Sequence, residues 1–143
     1  MRKALAPLLG AAALALPGMN AWAAATAKTK IVTRTKTKTF TGALGSAQRW
    51  GYVEVKLVVR KTTTTNRKTK KTTVRRRITA VRVPIYPNHT DRSVFINQEA
   101  LPILINETLA AQSARIQMVT GATYSSQGFE HSLQSAILKE KRW

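Results

Sequence analysis

The sequence contains no cysteine. This absence excludes disulfide frameworks, zinc sites with cysteine ligands, thioether haem attachment, lipid attachment at a cysteine and thiol nucleophiles. Histidine is limited to His89 and His131, and Asp91 is the single aspartate. A Ser-His-Asp triad or a His-rich metal site has almost no residues from which to be built. We therefore expect no metal site and no self-sufficient hydrolase, and we interpret both histidines as surface residues.

Acidic residues are also scarce, because 6 Asp+Glu stand against 24 Lys+Arg and give a net charge of +18 over 143 residues. This length suits about one domain. From Thr26 to Arg82 there are 17 basic residues and one acid, Glu54, whereas Val83 to Trp143 contains five of each. Threonine is concentrated in the same basic part and often alternates with Lys or Arg. The chain thus divides into a basic first half and a neutral second half.

Long hydrophobic runs are lacking except at the beginning of the chain. Arg2 and Lys3 precede an uncharged run from Ala4 to Pro17, and Ala21-Trp22-Ala23 and Ala23-Ala24-Ala25 follow. This layout is typical of a secretory signal peptide. The alternative is an uncleaved membrane anchor, but the run is shorter than the roughly 20 apolar residues that a spanning helix needs. We expect a signal peptide at 1–25 and a soluble, extracytoplasmic mature protein that is secreted, periplasmic or associated with the cell envelope.

The periodicity of the first half predicts strands. The alternation in Thr26 to Thr39 fits either a solvated tail or an edge strand, and we favour a basic Thr/Lys-rich tail over 26–39. Gly51 to Arg60 alternates apolar and polar residues and predicts a half-buried strand. Arg77 to Tyr86 predicts a second strand. Lys61 to Arg77 is a basic, low-complexity connector between the two strands, so an antiparallel hairpin is the simplest topology.

The second half is predicted to be helical. Apolar residues recur near the 3.6-residue period from Ser93 to Ile116, and Pro102 indicates a break or a helix start. A last helix is predicted from about Ser126 to Lys139, with Ser125 or Ser126 as its N-cap. Strands followed by helices indicate an α+β fold, with a small antiparallel sheet and an extended basic hairpin.

The segment that joins the two predicted helices has the most distinctive composition. Thr120-Gly121-Ala122-Thr123-Tyr124-Ser125-Ser126 places two small residues between hydroxyl side chains, directly before a helix. Small residues allow close approach to a ligand, and the N–H groups at a helix start bind phosphate. An ordinary capped turn would have the same composition. The residues alone leave both interpretations open.

The wider segment from Gln112 to Ser126 resembles the signature of the FMN-binding domain family. That family includes the flavin-carrying subunits of sodium-translocating NADH:quinone reductase and Rnf-type complexes, and small secreted bacterial proteins. The signature runs Gln-Ser, a short spacer, Asp, two residues, Ser/Thr-Gly-Ala-Thr, one residue and Thr/Ser-Ser. Phe40 to Gly42, Trp50 to Val55 and Ala100 to Leu104 also resemble the family, in the same order. The resemblance covers about residues 40–138, and we place the domain at 40–143.

This resemblance implies an FMN-binding electron carrier rather than an independent enzyme. It implies that the second threonine of the signature, Thr123, bonds to the FMN phosphate through a phosphoester that a flavin transferase forms. Redox partners in the cell envelope follow from the same resemblance. The isoalloxazine ring would supply the redox chemistry, so no side chain needs a catalytic role. The predicted cofactor-binding residues are Thr120, Gly121, Ala122, Thr123, Tyr124, Ser125 and Ser126.

Gln117 is a departure from the family pattern, which carries an aspartate three residues before Ser/Thr-Gly-Ala-Thr. If the transferase requires that carboxylate, attachment is slow or absent. Covalent FMN, non-covalent FMN and a domain that has lost flavin altogether are then all compatible with the sequence.

The basic connector from Lys61 to Arg77 supports a hypothesis from another class. Its Lys and Arg side chains would bind polyanions by counterion release, such as anionic polymers of the cell envelope or lipid headgroups. The connector contains no aromatic residue for base stacking, so sequence-specific nucleic-acid recognition is not expected. The alternative interpretation is a solvated loop and tail, since blocks of like charge are commonly disordered.

Overall fold

The computed structural model describes residues 30–143, so the predicted signal peptide lies outside the described residues. Four strands come first: β1 (Ile31–Thr41), β2 (Gly45–Ser46), β3 (Tyr52–Asn66) and β4 (Thr72–Ile85). A 3-10 turn, Gln48–Trp50, separates β2 from β3. Two helices follow, α1 (Asp91–Ala111) and α2 (Thr123–Lys141). The predicted α+β class is confirmed.

Strand β3 organises the sheet, because it pairs with each of the other three strands. It is antiparallel to β2, with Gly45 opposite Val53. Beyond the end of β1, the Gly42 N–H donates to the Val55 carbonyl at 2.8 Å. The alternation predicted for β3 is confirmed, since one face of the strand is completely buried and the other is in part exposed. The buried side chains on this face are Val53, Val55, Leu57 and Val59.

Both helices contribute to the hydrophobic core that covers this face of β3. Helix α1 provides Leu101 and Leu104, and α2 provides Phe129, Leu133 and Ala136. Burial of such side chains is the main favourable term in folding, at about 25 cal/mol per Å² of apolar surface. The core therefore fixes both helices against the sheet. Within residues 30–143, neither helix is long and apolar enough to cross a membrane.

Glycines allow the backbone of α2 to approach the sheet directly. A Cβ atom at Gly45 would lie 1.9 Å from the Gly128 carbonyl oxygen, and one at Gly42 would lie 2.1 Å from the Ser132 carbonyl oxygen. The Ser132 hydroxyl accepts a hydrogen bond from the Val55 N–H at 2.8 Å. The contact between α2 and the sheet is therefore partly backbone against backbone.

Helix α1 does not break at Pro102, contrary to the prediction. It runs from Asp91 through Pro102 and ends at Ala111, earlier than the predicted Ile116. Gln112 adopts a left-handed conformation with φ of 54° and closes the helix, while its N–H donates to the Thr108 carbonyl at 2.8 Å. A proline removes one backbone hydrogen bond. Here the neighbouring core contacts of α1 outweigh that loss.

The interpretation of residues 26–39 as a solvated tail is wrong for the described part, because β1 begins at Ile31. The alternating Thr and Lys side chains of β1 are mostly exposed, so they give no hydrophobic signal. Backbone pairing with β3 orders the segment instead. Ladder hydrogen bonds need no apolar side chains, which is why this edge-strand alternative is the correct one.

The basic connector between the two predicted strands is also more ordered than expected. Most of Lys61 to Arg77 belongs to β3 and β4, and residues 67–71 form the turn. The Asn66 side-chain oxygen accepts hydrogen bonds from the N–H groups of Lys68 and Thr69, at 2.9 and 3.2 Å. β-Branched threonines favour strands, and the Asn66 side chain stabilises the turn.

The described chain divides into two compact units. The first consists of residues 30–34 and 63–73 and contains the hairpin turn. The second consists of residues 35–62 and 74–143 and contains both helices and the hydrophobic core. The candidate site lies within this second unit.

Candidate functional site

The first turns of α1 and α2 line a cavity of about 330 Å³. The turn before β3 and the loop before α1 complete its walls. The lining residues are Arg49, Trp50, Pro87, Arg92, Ser93, Ile96, Asn97, Gly121, Ala122, Thr123, Tyr124 and Ser125. No acidic residue of the described chain lines this cavity, so its charged side chains, Arg49 and Arg92, are both cationic.

Helix α2 begins at Thr123, earlier than the predicted start at Ser126. Ala122 occupies the N-cap position and no side chain caps the helix, so the prediction of Ser125 or Ser126 as the N-cap is wrong. The first N–H groups of any helix have no partner within the helix. Since Thr123 and Ser125 line the cavity, the positive end of the α2 dipole faces an anion placed there.

The loop before α2 is held by local hydrogen bonds. The Ala122 N–H donates to the Val119 carbonyl at 3.0 Å, and the Val119 N–H donates to the Ser126 hydroxyl at 3.1 Å. Gly121 has a φ of +85°, which favours glycine. No other group lies within 4 Å of a Cβ placed at Gly121, so its conformation rather than a close contact requires glycine. Buried Ser126 therefore fixes the loop that leads into Thr123.

Arginine and aromatic side chains form another wall of the cavity. The Arg49 guanidinium lies 5.0 Å from the centre of the Trp50 ring. The ring of His89 stacks on Trp50, with 6.2 Å between centroids and 28° between planes. Arg92 lies in the first turn of α1. Two guanidinium groups near a helix start favour a doubly charged ligand such as a phosphate monoester.

Asn97 on α1 provides a hydrogen-bond acceptor that has no partner within the described chain. Its side chain is only 1% exposed and lines the cavity. The Nδ2 atom donates to the carbonyls of Pro87 and Ser93, at 2.8 and 2.9 Å. The Oδ1 atom is buried and accepts no hydrogen bond. Buried polar atoms in proteins are nearly always paired, so a ligand donor at Oδ1 would satisfy this atom.

The structure brings most of the predicted cofactor-binding residues together. Gly121, Ala122, Thr123, Tyr124 and Ser125 line the cavity, whereas Thr120 and Ser126 do not. Thr123 and Tyr124 are exposed, with Tyr124 at 48%. Gln117 is exposed and does not line the cavity.

Sequence reasoning did not find Arg49, Arg92 and Asn97 as site residues. Each comes from a segment distant in sequence from the signature, and a single Arg or Asn carries no local motif. Both histidines are exposed, as predicted for surface residues. No cluster of His, Asp or Glu suited to a metal ion occurs in residues 30–143.

A larger cavity of about 550 Å³ lies in the same unit and does not include the signature residues 120–126. It is lined by both cationic and acidic side chains, and the Arg76 guanidinium lies 3.3 Å from a Glu140 carboxylate oxygen. Pairing of this kind reduces the attraction for an external anion. The smaller cavity, with two arginines and no acid, is the better anion site.

Comparison with protein families identifies the cofactor of the chain. The family model for the FMN-binding domain matches residues 9–138 of the chain. The chain belongs to the FMN-binding domain family. FMN is therefore its cofactor and flavin binding its role. The match begins well before Phe40, where the sequence resemblance starts. A comparison with curated proteins gave no match.

The residues around the 330 Å³ cavity suit the separate parts of FMN. The negative charge of its phosphate is complementary to the start of α2 and to Arg49 and Arg92. The hydroxyl groups of its ribityl chain are donors that could bond the unpaired Oδ1 of Asn97. Trp50 provides an aromatic surface next to the same cavity. The FMN-binding domain thus has a cavity whose chemistry fits its cofactor. We call it the FMN cavity below.

Proposed function

We propose that this FMN-binding domain is an extracytoplasmic electron carrier whose flavin phosphate is bound at residues 120–126 through a phosphoester to Thr123. One observation carries the proposal: Thr123 is the first residue of α2, it is exposed, and it lines the FMN cavity. Its hydroxyl is accessible to an external transferase, while the resulting phosphate would lie against the helix N–H groups.

Formation of the bond requires an activated flavin donor, because a free phosphate monoester has no good leaving group. A flavin dinucleotide provides one. The Thr123 oxygen would attack the flavin-bearing phosphorus as the pyrophosphate P–O bond breaks, the adenosine monophosphate would leave, and the hydroxyl proton would pass to a base of the transferase. The net product is a phosphodiester between threonine and riboflavin, with no change in oxidation state.

When bound, FMN supplies the redox chemistry. The side chains of this chain position it and set its electrostatic environment. Arg49, Arg92 and the α2 helix dipole balance the negative phosphate, and Trp50 borders the cavity with an apolar surface. Thr123 and Tyr124 line the cavity and are exposed, so a redox partner protein would approach the flavin from their side.

The experiment that tests flavin carriage is the visible absorption spectrum of protein isolated from an extracytoplasmic fraction. We expect flavin absorption bands and fluorescence that survives denaturation. Colourless protein from cells that contain a flavin transferase would contradict the proposal. Intact mass of the same sample tests export, because we expect the mature chain to begin near Ala24 or Thr26; a mass that includes Met1 to Ala23 would contradict cleavage.

A second candidate function is the binding of anionic polymers or lipid headgroups, and the compact hairpin-turn unit favours it. In residues 30–34 and 63–73 this unit contains six basic and no acidic residues: Lys30, Arg34, Arg67, Lys68, Lys70 and Lys71. Arg34 and Arg67 line a small cavity of about 240 Å³ there. Ordered like charges attract a polyanion by counterion release, so this binding should weaken steeply with salt.

A further inference from the structure

Asn97 is the buried polar side chain of the FMN cavity whose hydrogen bonding is incomplete. Its Nδ2 hydrogens are both used, on the carbonyls of Pro87 and Ser93. An amide rotated by 180° would direct Oδ1 at two carbonyl oxygens, so the observed orientation is the one that the surroundings permit. The Oδ1 atom therefore presents a fixed acceptor that can be satisfied only by a donor.

The donors of FMN are few. Its phosphate oxygens and ring carbonyls accept hydrogen bonds, whereas the ribityl hydroxyls and the ring N3–H donate them. The ribityl chain is joined directly to the phosphate, while N3 lies at the opposite end of the molecule. With the phosphate at Thr123, a ribityl hydroxyl is the donor that remains within a cavity of about 330 Å³ shared by Thr123 and Asn97.

We infer that Asn97 binds FMN by accepting a hydrogen bond from a ribityl hydroxyl, and that it thereby selects a flavin with a polyhydroxylated chain. This inference rests on the proposed placement of the flavin phosphate. It gives α1 a second contact with the cofactor besides Arg92, one turn further along the helix. It also assigns a ligand to an atom that the folded chain leaves unpaired.

Burial of Asn97 sets the size of the expected effect. A neutral hydrogen bond to a buried acceptor contributes about a 10-fold change in affinity. The same acceptor rejects a ligand that has no hydroxyl at the right position, since the atom then stays buried and unpaired. The selectivity lies in the sugar-derived chain and not in the ring.

The test is a titration of flavin-free protein with FMN and with FMN analogues in which one ribityl hydroxyl at a time is replaced by hydrogen, followed by flavin fluorescence. We expect one analogue to bind the wild type about 10-fold more weakly than FMN. In Asn97→Leu, FMN and that analogue should bind equally. Thr108→Val is the matched control, because Thr108 is also buried on α1 and bonds a carbonyl of its own helix, outside the FMN cavity.

Each outcome separates the two proposals. If every analogue binds the wild type as tightly as FMN, the inference about Asn97 is overturned while the proposed function stands. The same holds if the loss with the analogue persists in Asn97→Leu. If Asn97→Leu fails to fold, Asn97→Ala, which also removes the acceptor, takes its place in the comparison. If the wild type binds no FMN and also carries no flavin after co-expression with a flavin transferase, the proposed function itself fails.

Discussion

The backbone N–H of Gln117 donates a hydrogen bond to the Oε2 atom of Glu107, at a distance of 2.8 Å. Gln117 occupies the position at which the family signature carries aspartate. A carboxylate from α1 is thus present beside this position, although the signature of this chain contains none. Glu107 is half-buried, so its orientation is restrained by its surroundings.

This pair leads to a prediction about flavin attachment. We expect wild-type protein, co-expressed with a bacterial flavin transferase, to be labelled incompletely, and Gln117→Asp to be labelled more fully. An amide lacks the negative charge that could hold a metal ion or a base during phosphoester formation. Intact mass gives the labelled fraction, and Gln127→Asp, an exposed change on α2, is the control for added charge.

Glu107→Gln extends this test to the neighbouring carboxylate. If Glu107 partly replaces the missing aspartate, Glu107→Gln lowers labelling of the wild type and has a smaller effect in the Gln117→Asp background. Complete labelling of the wild type, with no gain from Gln117→Asp, would show that a carboxylate at residue 117 is dispensable.

Attachment at Thr123 gives a second prediction. Thr123→Ala should abolish the flavin fluorescence that survives denaturation, because the reacting oxygen is removed. Thr120→Ser is the matched control, since it keeps a hydroxyl at an exposed position that does not line the FMN cavity, and it should keep the label. In-gel fluorescence after denaturing electrophoresis measures both. Persistent label in Thr123→Ala would refute the attachment site.

The close contact between Gly45 and Gly128 predicts a loss of stability. In Gly45→Ala the added methyl group would lie 1.9 Å from a backbone oxygen, so α2 must shift away from the sheet. Overpacking of a tight contact lowers the free energy of unfolding by about 1–3 kcal/mol. Urea denaturation followed by circular dichroism measures this. Gln127→Ala, exposed on α2, should change stability by less than about 0.5 kcal/mol; equal values would contradict the contact.

The hairpin turn gives a prediction that separates the two proposed functions. Replacement of Arg67, Lys68, Lys70 and Lys71 by glutamine should weaken binding to anionic vesicles, by about 1 kcal/mol for each charge near the surface. Flavin content should not change, because no residue of the turn lines the FMN cavity. Co-sedimentation at several salt concentrations measures the binding. Unchanged co-sedimentation would contradict a role for the turn.

Prediction from sequence succeeded where a local pattern of apolar and polar residues determines the secondary structure. The alternation of Val53, Val55 and Leu57 predicts a strand with one buried face, and the structure has it. Prediction failed where the secondary structure of a segment depends on contacts with residues distant in sequence. Strand β1 has no apolar face and is ordered by pairing with β3, and α1 continues through Pro102 because core contacts on both sides hold it.

The residues of the FMN cavity were likewise predicted from sequence only where they form a local motif. The signature indicates the residues around Thr123, because small residues before a helix form a local pattern. Arg49 and Asn97 reach the cavity through the packing of the chain, and nothing near them in sequence marks them as binding residues. The N-cap was also predicted wrongly, because Ser126 bonds the preceding loop rather than the start of its own helix.

The glycine contacts at β2 determine how α2 can move. A helix that rests on side chains can slide by small rotamer changes, but here Gly42 and Gly45 meet the carbonyls of α2 directly. A screw motion of α2 by one residue would replace Gly128 opposite Gly45 by Gln127 or Phe129, where there is no room for a side chain. The glycine contacts therefore hold α2 in one register against the sheet. Thr123 therefore stays at one distance from the sheet, and a flavin held there would be presented to its redox partner at a constant depth.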